Sequence, residues 1–303
     1  MKSVTAIFVS AALSALCVSP GVYADGRIEK LRESGAITIG FPETSLPFSY
    51  LDGNQKPVGY TVEICEQVAH KIQAALGLKS IDINFNPTTS STRIPLLANG
   101  TIDLECGSTT NKADRHNLVW FSPTTFVAQI VIVAKKDTKV DVNDLQSFSG
   151  KSIAAIAGGQ TFKAIASANA ENNYGISVLP AKDTGEAFLM LSSGRAAGIA
   201  NDDGLAYASV ASSKSPEDYV ISTKGIELAP YAILEPKDDA EFKALVDKSV
   251  VELMEDGTVE KIYNKYFTSP IPPRGINLKY AMSESLKRAL AKPTDSPDPA
   301  AYE

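Results

Sequence analysis

Residues 90–115 restrict the fold more than any other stretch, because they read as a short helix, a turn, a buried strand and the entry to a second helix. Asn99-Gly100 stops the first helix, since both residues tolerate the left-handed conformation of a C-terminal cap. Ile102, Leu104 and Cys106 then alternate with Asp103 and Glu105, the period of a strand. Ser108, Thr109, Thr110 and Asn111 follow Gly107, and small polar residues ahead of a polar segment are helix-entry chemistry. Backbone N–H groups, hydroxyls and the guanidinium of Arg115 can converge there on one anion. A guanidinium grips a carboxylate through two parallel hydrogen bonds. An ordinary capped helix with two solvated arginines accounts for the same residues.

The alternation of helix and strand continues on both sides. A helix over 27–34 precedes a strand over 36–40, and an aromatic, proline-rich loop over 41–50 follows. Within it Phe48 and Tyr50 either wall a pocket or cover the end of the sheet. Val62, Cys65, Val68, Ile72 and Leu76 keep helical spacing over 61–76. The segment 128–134 is a near-continuous apolar strand, as expected inside a parallel-type sheet. Further strands are expected over 151–156, 176–179, 196–203 and 227–234, with helices from Gln160, Thr184 and Asp239. Gly158-Gly159 ahead of Gln160 is a second place where backbone N–H groups can approach a ligand; no Gly-Lys-Ser/Thr follows, so it is not a P-loop. The pattern implies α/β sheets. Candidate crossovers at 122–126 and 224–228 divide it into two lobes with a ligand-sized cleft between them. Residues 269–303 are expected to pack Ile271, Leu278 and Leu286 on the first lobe and then to become disordered.

The amino terminus has a different character. Lys2, an apolar run over 4–18 and Val22-Tyr23-Ala24 fit an export signal over residues 1–24, cut after Ala24. The run is short for a membrane span. The remaining cysteines, Cys65 and Cys106, are both expected to be buried; they can bridge in an oxidising compartment or stay free thiols. His70 and His116 stand alone, so no metal site is expected. With a net charge of −6 in 303 residues, the chain lacks the basic stripe of a nucleic-acid binder. No cofactor motif is readable.

The chain resembles the periplasmic amino-acid-binding proteins that feed ABC importers, in particular the glutamate/aspartate branch. The resemblance rests on Pro47-Phe48-Ser49-Tyr50, Val58-Gly59-Tyr60, Arg93-Ile94-Pro95, Glu105-Cys106-Gly107-Ser108-Thr109-Thr110-Asn111, Arg115, Asp202-Asp203 and the block from Asn264 to Pro273. It implies a two-lobed α/β periplasmic-binding-protein fold of type II with two crossover strands as hinge. Lobe 1 is then 25–124 plus 229–303, and lobe 2 is 125–228. The implied roles are Arg115, with Ser108 and Thr110, on the ligand α-carboxylate, Asp202 on the α-ammonium, and Ser90 and Arg93 on the side chain. Gln160, Thr184 and Phe48 complete the expected site. The implied partners are a free amino acid and an ABC permease, the compartment is the periplasm, and the protein is a monomer.

Three positions depart from the acidic branch. Pro42 and Thr184 stand where basic residues are expected, and Gly158-Gly159-Gln160 replaces Gly-Thr-Thr. Glutamate or aspartate is the expected ligand, with glutamine, asparagine or another polar amino acid as the competitor. The rival class is an exported dehydratase-like enzyme on the same fold, for which Glu43, Asp202 and Asp203 are the candidate acids.

Overall fold

The structure, a computed structural model, describes residues 26–237 and 239–303. The expected export signal and its cut after Ala24 lie outside the described residues.

The first sheet is built from β1 (Ala36–Pro42), β5 (Asp82–Thr88), β6 (Leu104–Glu105), β7 (Val119–Phe121) and β14 (Leu234–Pro236) in the order β5-β1-β6-β14-β7. The first three run parallel, and β14 is antiparallel to both β6 and β7. α1 (Arg27–Ser34) precedes β1, and α2 (Tyr60–Ala75) and α3 (Arg93–Ala98) come between these strands. α7 (Ala240–Glu255) and α8 (Thr258–Tyr263) return against α2, and their apolar faces share one core with Ile37, Ile39 and Leu104.

The second sheet has β8 (Phe126–Lys135), β9 (Ser152–Ile156), β10 (Ser177–Ala181), β11 (Gly198–Asp202) and β12 (Tyr219–Ile221) in the order β10-β9-β11-β8-β12. α4 (Gln160–Asn172), α5 (Thr184–Ser192) and α6 (Asp203–Ala211) connect them. β13 (Leu228–Tyr231) pairs with the first four residues of β8, so the chain crosses between the sheets twice along one antiparallel ladder.

Several expectations change. β8 is antiparallel to all three partners, not part of a parallel ladder. Its apolar run has the same cause as in a parallel strand: Val131 and Val133 enter the core on one face, Ile132 and Ala134 the core on the other. The loop after β1 folds as a meander of β2 (Thr44–Ser45), β3 (Ser49–Leu51) and β4 (Pro57–Val58). The helix α6 has no counterpart in the sequence reading. The expected helix after Ser108-Thr109-Thr110-Asn111 shrinks to one 3₁₀ turn, Ala113–Arg115, which lacks a side-chain cap. Cys65 and Cys106 are bridged.

The carboxyl end is ordered. After β15 (Pro270–Ile271), β16 (Ile276–Asn277) and α9 (Glu284–Ala291), a 3₁₀ turn at Pro299–Tyr302 buries Tyr302 completely. Its hydroxyl pairs with Thr124 Oγ1 at 2.8 Å and donates to Ser296 O at 2.7 Å. Its ring shares a small core with Val127 and Leu228, on the two crossing strands, and with Ala289 of α9. One buried aromatic anchor outweighs the Pro-rich composition that suggested disorder.

Candidate functional site

The site grows from segments 104–115 and 198–203, which meet at the crossing strands. Asn111 N–H donates to Pro230 O at 2.7 Å and Ala232 N–H to Thr109 O at 3.2 Å. Thr110 and Tyr231 are therefore a non-hydrogen-bonded antiparallel pair, which turns the N–H and C=O of Thr110 away from β13. Arg115 folds back through its 3₁₀ turn and donates from Nη1 to Thr110 O at 2.7 Å. Arg93, the first residue of α3, donates from Nη1 to Thr109 Oγ1 at 2.6 Å, and the Thr109 hydroxyl in turn donates a hydrogen bond to Glu105 Oε2 at 2.6 Å. The acids of the predicted strand alternation are thus both buried. Glu105 supports Arg93, while Asp103 takes Lys30 at 2.7 Å and Arg27 at 3.4 Å.

Asp202 closes β11 and enters from the second sheet. It is 6% exposed, and Tyr231 donates its hydroxyl to Oδ2. Its Oδ1 is buried without a partner. Burial pushes the Asp202 carboxyl up to about 7, against the Tyr231 hydrogen bond and the charge of Arg93. Burial likewise pushes the Arg115 guanidinium down to about 10, helped by Arg93 and opposed by Asp114, Glu105 and Asp202. Burial raises the Glu105 carboxyl, opposed by Arg93. The charge of Arg93 acts on Asp202, Arg115 and Glu105 alike, so these groups stand close together. Among the described residues, neither Arg93 nor Arg115 has a carboxylate oxygen within 4.0 Å. A buried guanidinium without a counter-ion is costly unless a ligand supplies one.

Beyond Arg93 lies a small cavity of about 50 Å³, lined by Pro42, Thr88, Ser90, Arg93, Ser108 and Thr184, with the exposed Glu43 and Lys182 also on its wall. The two halves touch around it. A Cβ on Gly158, at φ 73°, would stand 3.4 Å from Ser90 O, and one on Gly185 3.6 Å from Thr44 Cβ. The left-handed backbone of Gly158 is the reason for glycine there; a Cβ would only reach ordinary contact with Ser90.

Ser90, Arg93, Ser108 and Thr184 therefore come together on one cavity, and Arg115, Thr110 and Asp202 stand beside them as an electrostatic cluster. Two expected residues do not join. The side chain of Gln160 turns outward and donates to Glu227 Oε1 at 3.3 Å, in an outer groove that also holds Lys112 and Lys163. The buried hydroxyl residue of that helix start is Thr161, at 4% exposure. Phe48 is a core residue, packed on Phe126 at 4.7 Å and on Tyr231 at 5.2 Å. Full burial among aromatic rings is where an unbranched apolar ring gains most. Sequence reasoning missed Tyr231, Glu105 and Thr109, which hold the charged groups; no local motif marks a residue whose partner lies across a sheet.

Two sheets, a double crossing and a cleft bearing opposed charges from both halves define a two-lobed solute-binding protein of type II. The chain belongs to the bacterial extracellular solute-binding proteins, family 3, whose sequence pattern matches residues 37–269. Over 291 residues it is 40% identical to the L-glutamate/L-aspartate-binding protein of Pseudomonas aeruginosa, covering 95% of this chain and 96% of that protein. It is 34% identical over 272 residues to the glutamate/aspartate import solute-binding protein of Escherichia coli, covering 90% and 89%. Among solved structures it resembles a mutant of ArgBP from T. maritima, with a TM-score of 0.71 and 25% identity over 79% of this chain and 98% of that one.

Proposed function

We propose that the protein captures an acidic L-amino acid, glutamate or aspartate, in the bacterial periplasm and delivers it to an ABC permease. The observation that carries this reading is a pair of buried guanidiniums without a carboxylate partner among the described residues, together with a buried carboxylate that has one unpaired oxygen. A ligand with two anionic ends and one cation between them completes that set of charges.

Arg115 takes the α-carboxylate, aided by the Thr110 N–H and Ser108. Asp202 takes the α-ammonium. Arg93, held by Thr109 and Glu105, takes the distal carboxylate, with Ser90 beside it. Excluding water as the lobes close strengthens each pair. The lobes are 25–124 plus 229–303 and 125–228, β8 and β13 are the hinge, and the monomeric chain is exported with its leader removed after Ala24. A carboxamide ligand is the second reading, because Pro42 and Thr184 leave Arg93 the one buried cation on the cavity wall.

The protein binds its ligand without turnover. Asp203, a candidate acid for the enzyme reading, is occupied: it accepts from Tyr280 Oη at 2.6 Å and from Gly204 N at 2.8 Å. Titration calorimetry with a panel of amino acids tests the function. Glutamate or aspartate should bind near the micromolar range, about −8 kcal/mol. Arg93→Ala should weaken acidic ligands more than alanine. Equal loss for both would remove Arg93 from the side-chain end.

A further inference from the structure

Two threonines on the wall of the cavity have hydroxyls with no hydrogen-bond partner among the described residues. Thr88 ends β5, in register with Pro42 of β1, and is 6% exposed. Thr184 opens α5 from the second lobe and is 3% exposed. Both line the cavity beyond Arg93, and both Oγ1 atoms are buried without a hydrogen bond. The orientation of Thr88 is set by packing. A Cβ on Gly40 would stand 2.9 Å from the Thr88 methyl, so the methyl lies over the glycine of the neighbouring strand and the hydroxyl is turned elsewhere. A buried hydroxyl without a partner has lost its water and gained nothing in exchange.

We infer that Thr88 and Thr184 are specificity-determining residues that hydrogen-bond the distal group of the bound amino acid. This rests on the reading of the cleft as an amino-acid site. Arg93 supplies charge from one direction only. The two threonines, one from each lobe, line the same small space, which has room for about one or two water-sized groups. A hydroxyl donates to a carboxylate oxygen or accepts from a carboxamide NH₂, so the pair serves both distal groups. An alkyl side chain of the same length gains no hydrogen bond from either hydroxyl and binds less tightly. Selection is thus by polarity at the side-chain tip and needs closure of both lobes.

The test uses the mature protein with Thr88→Val and Thr184→Val, which keep side-chain shape and remove the hydroxyl. Because neither hydroxyl bonds to the protein, ligand-free thermal melting should stay level or rise in both variants. Glutamate affinity should fall about tenfold in each, while affinity for norvaline, which lacks the distal group, stays level or rises. Thr88→Ser, which restores the hydroxyl, should recover glutamate binding. A glutamate-to-norvaline ratio unchanged within about twofold in both valine variants overturns the inference alone. So does a lowered melting temperature in the ligand-free valine variants, which would give the hydroxyls a structural partner. A wild-type protein that gives no heat with any amino acid overturns the amino-acid reading itself.

Discussion

Lowering the pH from 8 to 5.5 should weaken amino-acid binding about thirtyfold. The cause is Asp202. Burial and the neighbouring Asp203 push its carboxyl up to about 7 in the ligand-free protein, despite Tyr231 and Arg93. Only the ionised form pairs with an ammonium, so the apparent affinity scales with the ionised fraction. That fraction is about nine-tenths at pH 8 and about 3% at pH 5.5. Binding pulls the group down and releases roughly half a proton at pH 7. Tyr231→Phe removes the donor that favours the carboxylate and should move the transition to higher pH. Stability runs the other way. A carboxyl raised in the folded state stabilises fully below its unfolded value near 4, and that stability is lost as pH rises through about 7. Glu105, Asp203 and Glu235 are raised too and act in the same direction. The ligand-free protein should therefore melt lower at pH 8 than these groups allow at pH 5.5, while its affinity is higher. Calorimetry in buffers of different ionisation enthalpy reads both affinity and proton release. A dissociation constant flat within about threefold across this range, with no proton released at pH 7, would refute the reasoning.

Arg115→Met should abolish binding of every amino acid, a loss of about a hundredfold or more by calorimetry, because it strands a desolvated α-carboxylate. Retained micromolar binding would displace Arg115 from that role. Reducing the Cys65–Cys106 bridge, which spans 41 residues of chain, should cost about 4 kcal/mol in urea unfolding if chain entropy dominates. A loss below about 1 kcal/mol would mean that the reduced unfolded chain is already compact there. Tyr302→Ala should cost about 3 kcal/mol, since it empties a fully buried site against Val127 and removes the bond to Thr124. An unchanged urea midpoint would show that the tail is not anchored by this ring.

Residues whose environment is local were legible without coordinates. Val62, Cys65, Val68 and Ile72 lie on one buried helix face because 3.6-residue spacing is a property of neighbouring residues. Asp183 and Asp239 cap their helices through bonds three residues ahead, within reach of a short motif. Arg93, Arg115 and Asp202 were legible as charges but not as a cluster from spacing alone; the resemblance supplied their roles. Tertiary structure decided what depends on partners far along the chain. It made β8 antiparallel, because burial on both faces gives the same apolar run in either direction. It turned Gln160 outward to Glu227 and drew Thr88 inward by resting its methyl on Gly40. It joined two cysteines that composition left equally able to stay apart, and it anchored a Pro-rich tail by one tyrosine. A chain records which groups it carries. Which of them lose their water together depends on the packing of segments one to two hundred residues apart, and that loss raises the Asp202 carboxyl and leaves two arginines without a carboxylate partner among the described residues.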